Sequence, residues 1–321
     1  MGIREKKVSV IICAYSLDRF NDVLEAVASA LGQTIPPHQA IVSVDNNREL
    51  LERLRTEIPA TVTLVFNDGV KGLSETRNAG LRAASGDIIA FMDDDAVAEQ
   101  DWLENLVRPF DVENVAAAGG RIVPQWLDGG RPGWFPEELD WIVGCTYAGL
   151  PHSGNQVRNL IGCNMAFRAE VFDSVGLFNT AVGRTGKTRG SGEDSEFCLR
   201  ITRKLPGVLI VYEPRAIVHH KVPSWRVTPG YLLRRSYDEG FHKSTVKKLH
   251  SGSPGEPLST ENSYLRYLFV TAISRRLKTF YRRESFLQMD AIFSCIAATG
   301  AGFLKGQLAG TEHNNEEGTH E

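Results

Sequence analysis

Residues 8–13 form a short apolar, β-rich run, and after a polar turn Phe20, Val23, Leu24, Val27, Ala30 and Leu31 recur at helical spacing until Gly32 stops them. The unit repeats. Residues 40–44 read as a strand ahead of a helix carrying Leu50, Leu51 and Leu54; residues 62–66 read as another strand; residues 74–84 read as a helix closed by Gly86. Residues 88–92 are fully apolar and run directly into three aspartates. Strands and helices alternating at this spacing predict a mostly parallel, doubly wound α/β sheet covered on both faces, rather than a β-sandwich or a helical bundle. In such sheets ligands sit beyond the carboxyl ends of the strands.

From about Val115 the texture changes to shorter elements rich in Gly, Pro and Trp, with residues 208–212 as one further strand. A Ser/Gly/Pro-rich linker at 251–257 precedes an amphipathic helix over 265–283. Its apolar stripe is Leu265, Leu268, Phe269, Ala272, Ile273, Leu277 and Phe280, flanked by Arg275, Arg276, Lys278, Arg282 and Arg283. Residues 291–304 carry no charge, a stretch too short to span a bilayer as one helix, so they lie on a membrane or in a core. The tail over 311–321 reads as disordered.

Composition narrows the class. With 42% hydrophobic and 23% charged residues the 321-residue chain is a soluble globular type, large enough for one α/β domain with an appendage. The net charge of −3 gives no whole-chain footprint for nucleic acid. The charge is uneven, however: residues 231–310 hold 12 Lys and Arg against 6 Asp and Glu, which points to an anionic surface as partner. Five scattered cysteines without a CxxC pair indicate neither a disulfide framework nor a zinc site, and imply a reducing, cytoplasmic setting. The apolar run at 8–15 follows three basic residues like a signal peptide, but Asp18, Arg19 and Asp22 cut it off without a cleavage site, so it is a buried strand.

Asp93, Asp94 and Asp95 stand at the end of an apolar strand, and such a carboxylate cluster is costly without a cation. Mg²⁺ or Mn²⁺ prefers carboxylate oxygens and commonly bridges to a diphosphate, which makes a nucleotide the natural ligand. The same run also suits the start of the helix holding Trp102, Leu103, Leu106 and Val107. A second acidic cluster, Glu193, Asp194 and Glu196, follows a glycine-rich stretch at 183–192 that reads as a mobile loop. A carboxylate there can serve as general base to an attacking hydroxyl, or simply favour the first turn of a helix. His219 and His220, placed just after the 208–212 strand and Pro214, offer an imidazole to a metal held by Asp95, or form surface hydrogen bonds. Asp45 and Arg77 are candidates for base or ribose and for phosphate contacts. There is no P-loop, no GxGxxG after the first strand, no GxSxG and no HExxH.

In order, these residues resemble the inverting family 2 glycosyltransferases of GT-A fold, over roughly residues 8–240. The match comprises the opening strand ending in Ala14 and Tyr15, Asp45 after the second strand, Gly72–Asn78 as G-L-S-x-x-R-N, Asp93 and Asp95 as DxD, the G-x-N-M-x-F-R segment at 162–168, and the Glu193, Asp194 pair. The resemblance implies a GT-A fold in which residues 1–114 form a nucleotide-sugar-binding half and 115–250 an acceptor-binding, catalytic half. Residues 258–310 then form an amphipathic, membrane-associating helical extension. It further implies that Ala14, Tyr15, Asp45, Lys71, Arg77, Asp93 and Asp94 hold the nucleotide, that Asp95 and His220 hold a divalent cation, Mn²⁺ or Mg²⁺, and that Asp194, with Glu193 beside it, supplies the base. The QxxRW pattern of processive synthases is missing, which favours transfer of a single sugar. A narrower resemblance, to enzymes adding glucuronic acid to a glucosyl dolichyl phosphate carrier, rests on Gly119–Pro124, Phe135–Trp141, Val157–Asn159, Gly183–Gly186, His220–Val222 and the basic, apolar C-terminal segment. It implies a UDP-sugar donor such as UDP-glucuronic acid, a lipid-linked saccharide acceptor, and a peripheral position on the cytoplasmic face of the membrane. The C-terminal helices could equally pack on the catalytic domain or join two copies of the chain. Transfer to polyprenyl phosphate itself or to a polysaccharide, a non-catalytic nucleotide-sugar-binding or scaffold role, and nucleotidyl transfer are the competing readings; residues 14–19 lack the basic glycine-rich loop that nucleotidyl transfer needs.

Overall fold

The computed structural model describes residues 6–150, 155–183, 192–249 and 258–309. The interior of the expected loop at 183–192, the linker at 251–257 and the tail at 311–321 lie outside the described residues. Four strands, β1 (Val8–Ala14), β2 (Gln39–Asp45), β3 (Thr63–Asn67) and β4 (Ile88–Asp93), pair in parallel and are linked by α1 (Phe20–Leu31), α2 (Arg48–Glu57) and α3 (Leu73–Ala83). The register sets Cys13 against both Ser43 and Asp93, so the carboxyl ends of β1, β2 and β4 finish level. That is the alternation read from the hydrophobic pattern. Helix α3 starts at Leu73 and ends at Ala83, one residue ahead of the expected bounds at each end, with Ala84 as its cap.

The second half of the sheet departs from expectation. After β5 (Ala96–Ala98) and α4 (Trp102–Val107), β6 (Val115–Trp126) is one long strand, not a series of short elements. Gly119 and Gly120 do not interrupt it; they leave space for Leu160 and for the Ala216 carbonyl, which a Cβ would strike. β7 (Asn164–Arg168), α5 (Ala169–Val175), α6 (Glu193–Lys204) and β8 (Leu209–Val222) complete the domain. The strand order is β3-β2-β1-β4-β7-β6-β8-β5, with β7 antiparallel to both neighbours, β6 parallel to β8 and β5 antiparallel to β8. Eight strands thus make a mixed sheet whose parallel character is concentrated in its first half. β8 also outruns the strand expected at 208–212. Gly120 pairs with Glu213 and Arg121 with Ile217, so residues 214–216 loop out and the strand resumes, carrying His219 and His220 within it rather than after it.

Apolar side chains fill both faces of the sheet. One layer gathers α1, α2, α4 and the C-terminal helices, including Leu268, Ala272, Ile292 and Cys295. The other gathers α5, α6 and part of α3 around Phe167, Phe172, Phe178 and Phe197. The C-terminal region comprises α7 (Pro229–Leu249), α8 (Ser259–Tyr267), a π-helical segment (Leu268–Ile273), α9 (Ser274–Leu277) and α10 (Arg283–Leu308). The single helix expected over 265–283 therefore ends at Leu277. The wider π turn rotates its stripe, burying Leu268, Ala272 and Ile273 and leaving Phe269, Val270, Leu277 and Phe280 exposed. The uncharged run at 291–304 belongs to a 26-residue helix, because Asp290 and Lys305 sit inside α10 instead of ending it. Contrary to the expectation from that run alone, α10 is long and apolar enough to cross a membrane, and 28% of its most apolar window is buried. It packs tightly on α7: a Cβ on Gly240 would collide with the Thr299 carbonyl, and one on Gly302 with the Tyr237 carbonyl.

The extension is tied to the sheet domain by buried charge. Glu138, in the 3₁₀ segment Glu137–Val143, is wholly buried and accepts from Arg276 Nη1 and Nη2 at 2.9 and 2.8 Å and from Arg275 at 3.0 Å. The Tyr264 hydroxyl donates to the carbonyl of the same glutamate.

Candidate active site

The level ends of β1, β2 and β4 form a shelf. Asp45, nearly buried at the end of β2, accepts from Asn67 Nδ2 at 2.9 Å and from the Gly72 backbone N–H at 3.1 Å. Gly72 opens α3 at φ 144°, a conformation that a side chain would strain. The loop between β3 and α3 is thereby fastened to the shelf. Tyr15 is exposed beyond β1 with its carbonyl bonded by Asn47 Nδ2, Ala14 is buried within the strand, and Lys71 is exposed on the fastened loop.

Arg77, one turn into α3, is almost wholly buried, an expensive position for a cation without partners. Its partners are the two acidic clusters that lie a hundred residues apart in sequence. Nη1 donates to Glu193 Oε1 at 2.9 Å, Nη2 donates to the Gly162 carbonyl at 3.3 Å, and Nη2 lies 3.9 Å from Asp93 Oδ1. Burial alone would lower its pKa, but Glu193 and Asp93 outweigh that and hold the guanidinium charged. Glu193, expected beside the base, therefore faces Arg77, with its other oxygen buried and without a hydrogen-bond partner.

Asp194 is half-buried at the start of α6. Its Oδ2 accepts from the Gly162 N–H at 2.9 Å and its Oδ1 from the Ser195 N–H at 2.6 Å. Burial, reinforced by the Glu193 charge and opposed by Arg77, raises the carboxyl to about 6. A carboxylate in this state takes a proton near neutral pH better than an ordinary aspartate.

The aspartate triplet meets β8. β5 pairs Ala96 with His220 and Val97 with His219, and the Lys221 N–H donates to the Asp95 carbonyl. Because neighbours on a strand face opposite ways, the two histidines separate. His219 Nε2 lies 2.9 Å from Glu99 on the outer face, whereas His220 Nε2 lies 3.2 Å from Asp95 Oδ1. Among the described residues, ligand atoms of Asp93, Cys163 and His220 stand within 4.8 Å of one another. Asp94 Oδ2 and Asp95 Oδ1 are buried without hydrogen-bond partners. Burial, opposed by Arg19, pushes Asp94 up to about 7; it would raise Asp95 as well, but His220, Arg19 and Arg226 hold that carboxyl below the usual range.

Three contributors escaped the sequence reading. Arg19 lies 2.6 Å from Asp94 and 3.0 Å from Asp95, and Arg226 lies 3.5 Å from Asp95. Nothing periodic marks either arginine, since both sit in single 3₁₀ turns, Leu17–Arg19 and Ser224–Val227, whose partners are set by tertiary folding. Cys163 was visible inside the G-x-N-M-x-F-R segment, but only the antiparallel insertion of β7 beside β4 brings it to the aspartates.

The comparisons agree with this geometry. The pattern that defines Glycosyl transferase family 2 matches residues 9–176. Over 94% of this chain and 96% of its own length, the glucosyl-dolichyl phosphate glucuronosyltransferase of Haloferax volcanii is 34% identical. The succinoglycan biosynthesis protein ExoM of Rhizobium meliloti is 26% identical over 73% of this chain and 72% of its own. In fold, the chain is similar to the mannosyltransferase PcManGT of Pyrobaculum calidifontis, solved with GDP-Man and Mn²⁺, at a TM-score of 0.56 and 19% identity, covering 94% of this chain and 77% of that one. It is also similar to GalNAc-T7, solved with UDP, GalNAc and Mn²⁺, at a TM-score of 0.52 and 16% identity, covering 83% and 56%. The shelf of strand ends, the order of its motifs and these likenesses together make the chain a member of glycosyltransferase family 2, a glycosyltransferase of GT-A fold.

Proposed function

We propose that the chain transfers one sugar, with inversion, from a UDP-sugar such as UDP-glucuronic acid to a hydroxyl of a lipid-linked saccharide, with Asp194 as the base. The observation that carries the reading is Arg77 binding the second acidic cluster to the first, which sets a carboxylate of raised pKa beside the strand-end aspartates. The Haloferax relative, aligned over nearly its whole length, supports the choice of donor and acceptor.

A divalent cation fits the site, because buried oxygens of Asp94 and Asp95 lack partners and His220 Nε2 stands beside the latter. Asp95, His220 and Asp93 would hold it, and when bound it neutralises charge developing on the departing diphosphate. Asp45, Tyr15, Lys71 and the loop at Gly72 would receive the nucleotide, Arg77 would add a fixed positive charge under the phosphates, and Asp94 would orient Arg19. On the acceptor side, the Gly162 and Ser195 N–H groups hold the Asp194 carboxylate in one orientation, ready to take the hydroxyl proton.

The extension would rest on an anionic cytoplasmic membrane surface. Phe269, Val270, Leu277, Phe280, Tyr281 and Phe286 are exposed together with Lys278, Arg282 and Arg283, the mixture that inserts rings among acidic head groups.

The test is transfer from a UDP-sugar panel to lipid-phosphate-linked glucose with Mn²⁺ or Mg²⁺. Glucuronosyl transfer lost on chelation and in Asp194→Asn, with UDP binding retained in the variant, is the expected result. Transfer from a different donor, or an undiminished rate in the variant, would overturn the donor or the base respectively.

A further inference from the structure

A cavity of about 430 Å³ opens between the start of α6 and helices α7, α8 and α10, within the range of about 300–1,000 Å³ of ligand pockets. Asp194 and Ser195 stand at its edge, while Asp45, Arg77, Asp93 and Asp95 do not line it. It adjoins the shelf at Asp194 and at Leu160 and Ile161, which lead into Gly162. Its walls include Leu265, Leu268, Ile296 and Phe303. The charges at its rim are matched to one another: Arg158 donates twice to Glu261 at 2.6 and 2.8 Å, and Lys243 lies 2.7 Å from the same carboxylate. These pairs match the charges beside the cavity, whose lining is otherwise mostly apolar, with Trp141 Nε1 and Thr299 Oγ1 as buried polar atoms without hydrogen-bond partners.

We propose that this cavity takes the apolar chain of an amphiphilic acceptor, next to the hydroxyl-bearing head that meets Asp194; the placement of the head rests on the reading of Asp194 as base. A free, fully polar saccharide would leave much of this wall in contact with hydroxyls that it cannot bond, which is unfavourable. A hydrocarbon chain is favoured there by roughly 0.8 kcal/mol per buried methylene, about fourfold in affinity.

The experiment is calorimetric titration of the full chain, with UDP and Mn²⁺ present, by monomeric n-alkyl β-glucosides from hexyl to nonyl, below their micelle concentrations. Affinity should rise about fourfold per methylene. Gly300 is an exposed residue that lines the cavity, and a Cβ there meets no atom within 4 Å, so Gly300→Phe starts a bulky side chain at the cavity's edge without striking a neighbour at its first atom. It should flatten the series while leaving the melting temperature and UDP binding unchanged. Leu265→Asp, at a part-exposed position, should flatten it too. Equal affinity along the series in the unmodified chain would overturn the proposal, as would an unaltered slope in both folded variants, which would place the alkyl chain on the exposed surface instead. A slope abolished by Gly300→Phe supports the cavity even if no sugar is transferred to any glucoside, an outcome that would count against the catalytic reading alone.

Discussion

The shelf proposed to take the donor and the cavity proposed to take the acceptor are built on opposite plans. The shelf takes Tyr15, Asp45, Asn67, Gly72, Arg77 and the aspartate triplet from one stretch of 81 residues, and places them by the level ends of parallel strands. The cavity takes its lining from elements spread between Trp141 and Phe303, held by ion pairs and close helix contacts rather than by a shared sheet. A backbone ladder fixes position whatever the outward side chains are, whereas a wall of helix faces changes shape with each side chain. On the proposed roles, nucleotide chemistry sits where sequence change is least felt, and acceptor choice where it is most felt.

The sharpest break between the two sides should come from Asp194→Asn. It is expected to lower kcat by about 10²–10⁴-fold while UDP affinity, measured by calorimetry, stays put. Next in size, Arg276→Ala leaves Glu138 buried without its main partner and should cost about 3–5 kcal/mol by denaturant unfolding. Because Arg276 outweighs the burial that would raise Glu138, the carboxyl is held below its ordinary value of 4.5, so this contribution is complete above that pH and lost as pH falls below it. On the shelf, Asp45→Asn should cost about 1–3 kcal/mol, because the amide cannot accept at both oxygens, and should weaken UDP binding as the Gly72 loop is released. A milder probe is pH itself: kcat/KM should be level above the Asp194 value of about 6 and fall about tenfold per unit below it, an acid limb absent from UDP binding. Least of all, Arg282→Ala on the exposed face should change stability by under about 0.5 kcal/mol, while reducing sedimentation with anionic vesicles.

The same contrast explains what could be read from the chain alone. Strands β1 to β4 and their helices were legible because the strands are short apolar runs and the helices between them bury apolar stripes at helical spacing, and the motif order then singled out Asp45, Arg77, Asp93 and Asp194. β6 was misread because Gly119, Gly120 and Pro124 look like breakers, yet β8 pairs with all three and β7 with Gly119 as well, which holds them in line. Cys163 and Arg19 reach the site through long-range pairing, which leaves no local period. The stripe at 265–283 was seen but drawn on the wrong helix, since a π turn changes the rotation per residue without any composition to announce it.

The excursion at residues 214–216 has a consequence for how this site can vary. It works as an expansion joint between the two halves of β8: the first half is registered on Gly120 and earlier residues, the second on Arg121 and later ones, and the slack between them is stored outside the ladder. A change of length at its exposed part, Pro214 and Arg215, leaves the face presented at position 220 untouched, whereas Ala216 is buried with its carbonyl bonded by Asn164. Removing a single residue between Ile217 and His220 does the reverse, shifting the side-chain alternation by one so that the imidazole beside Asp95 turns toward Glu99. Length can vary at those two exposed positions and is fixed beyond Ile217.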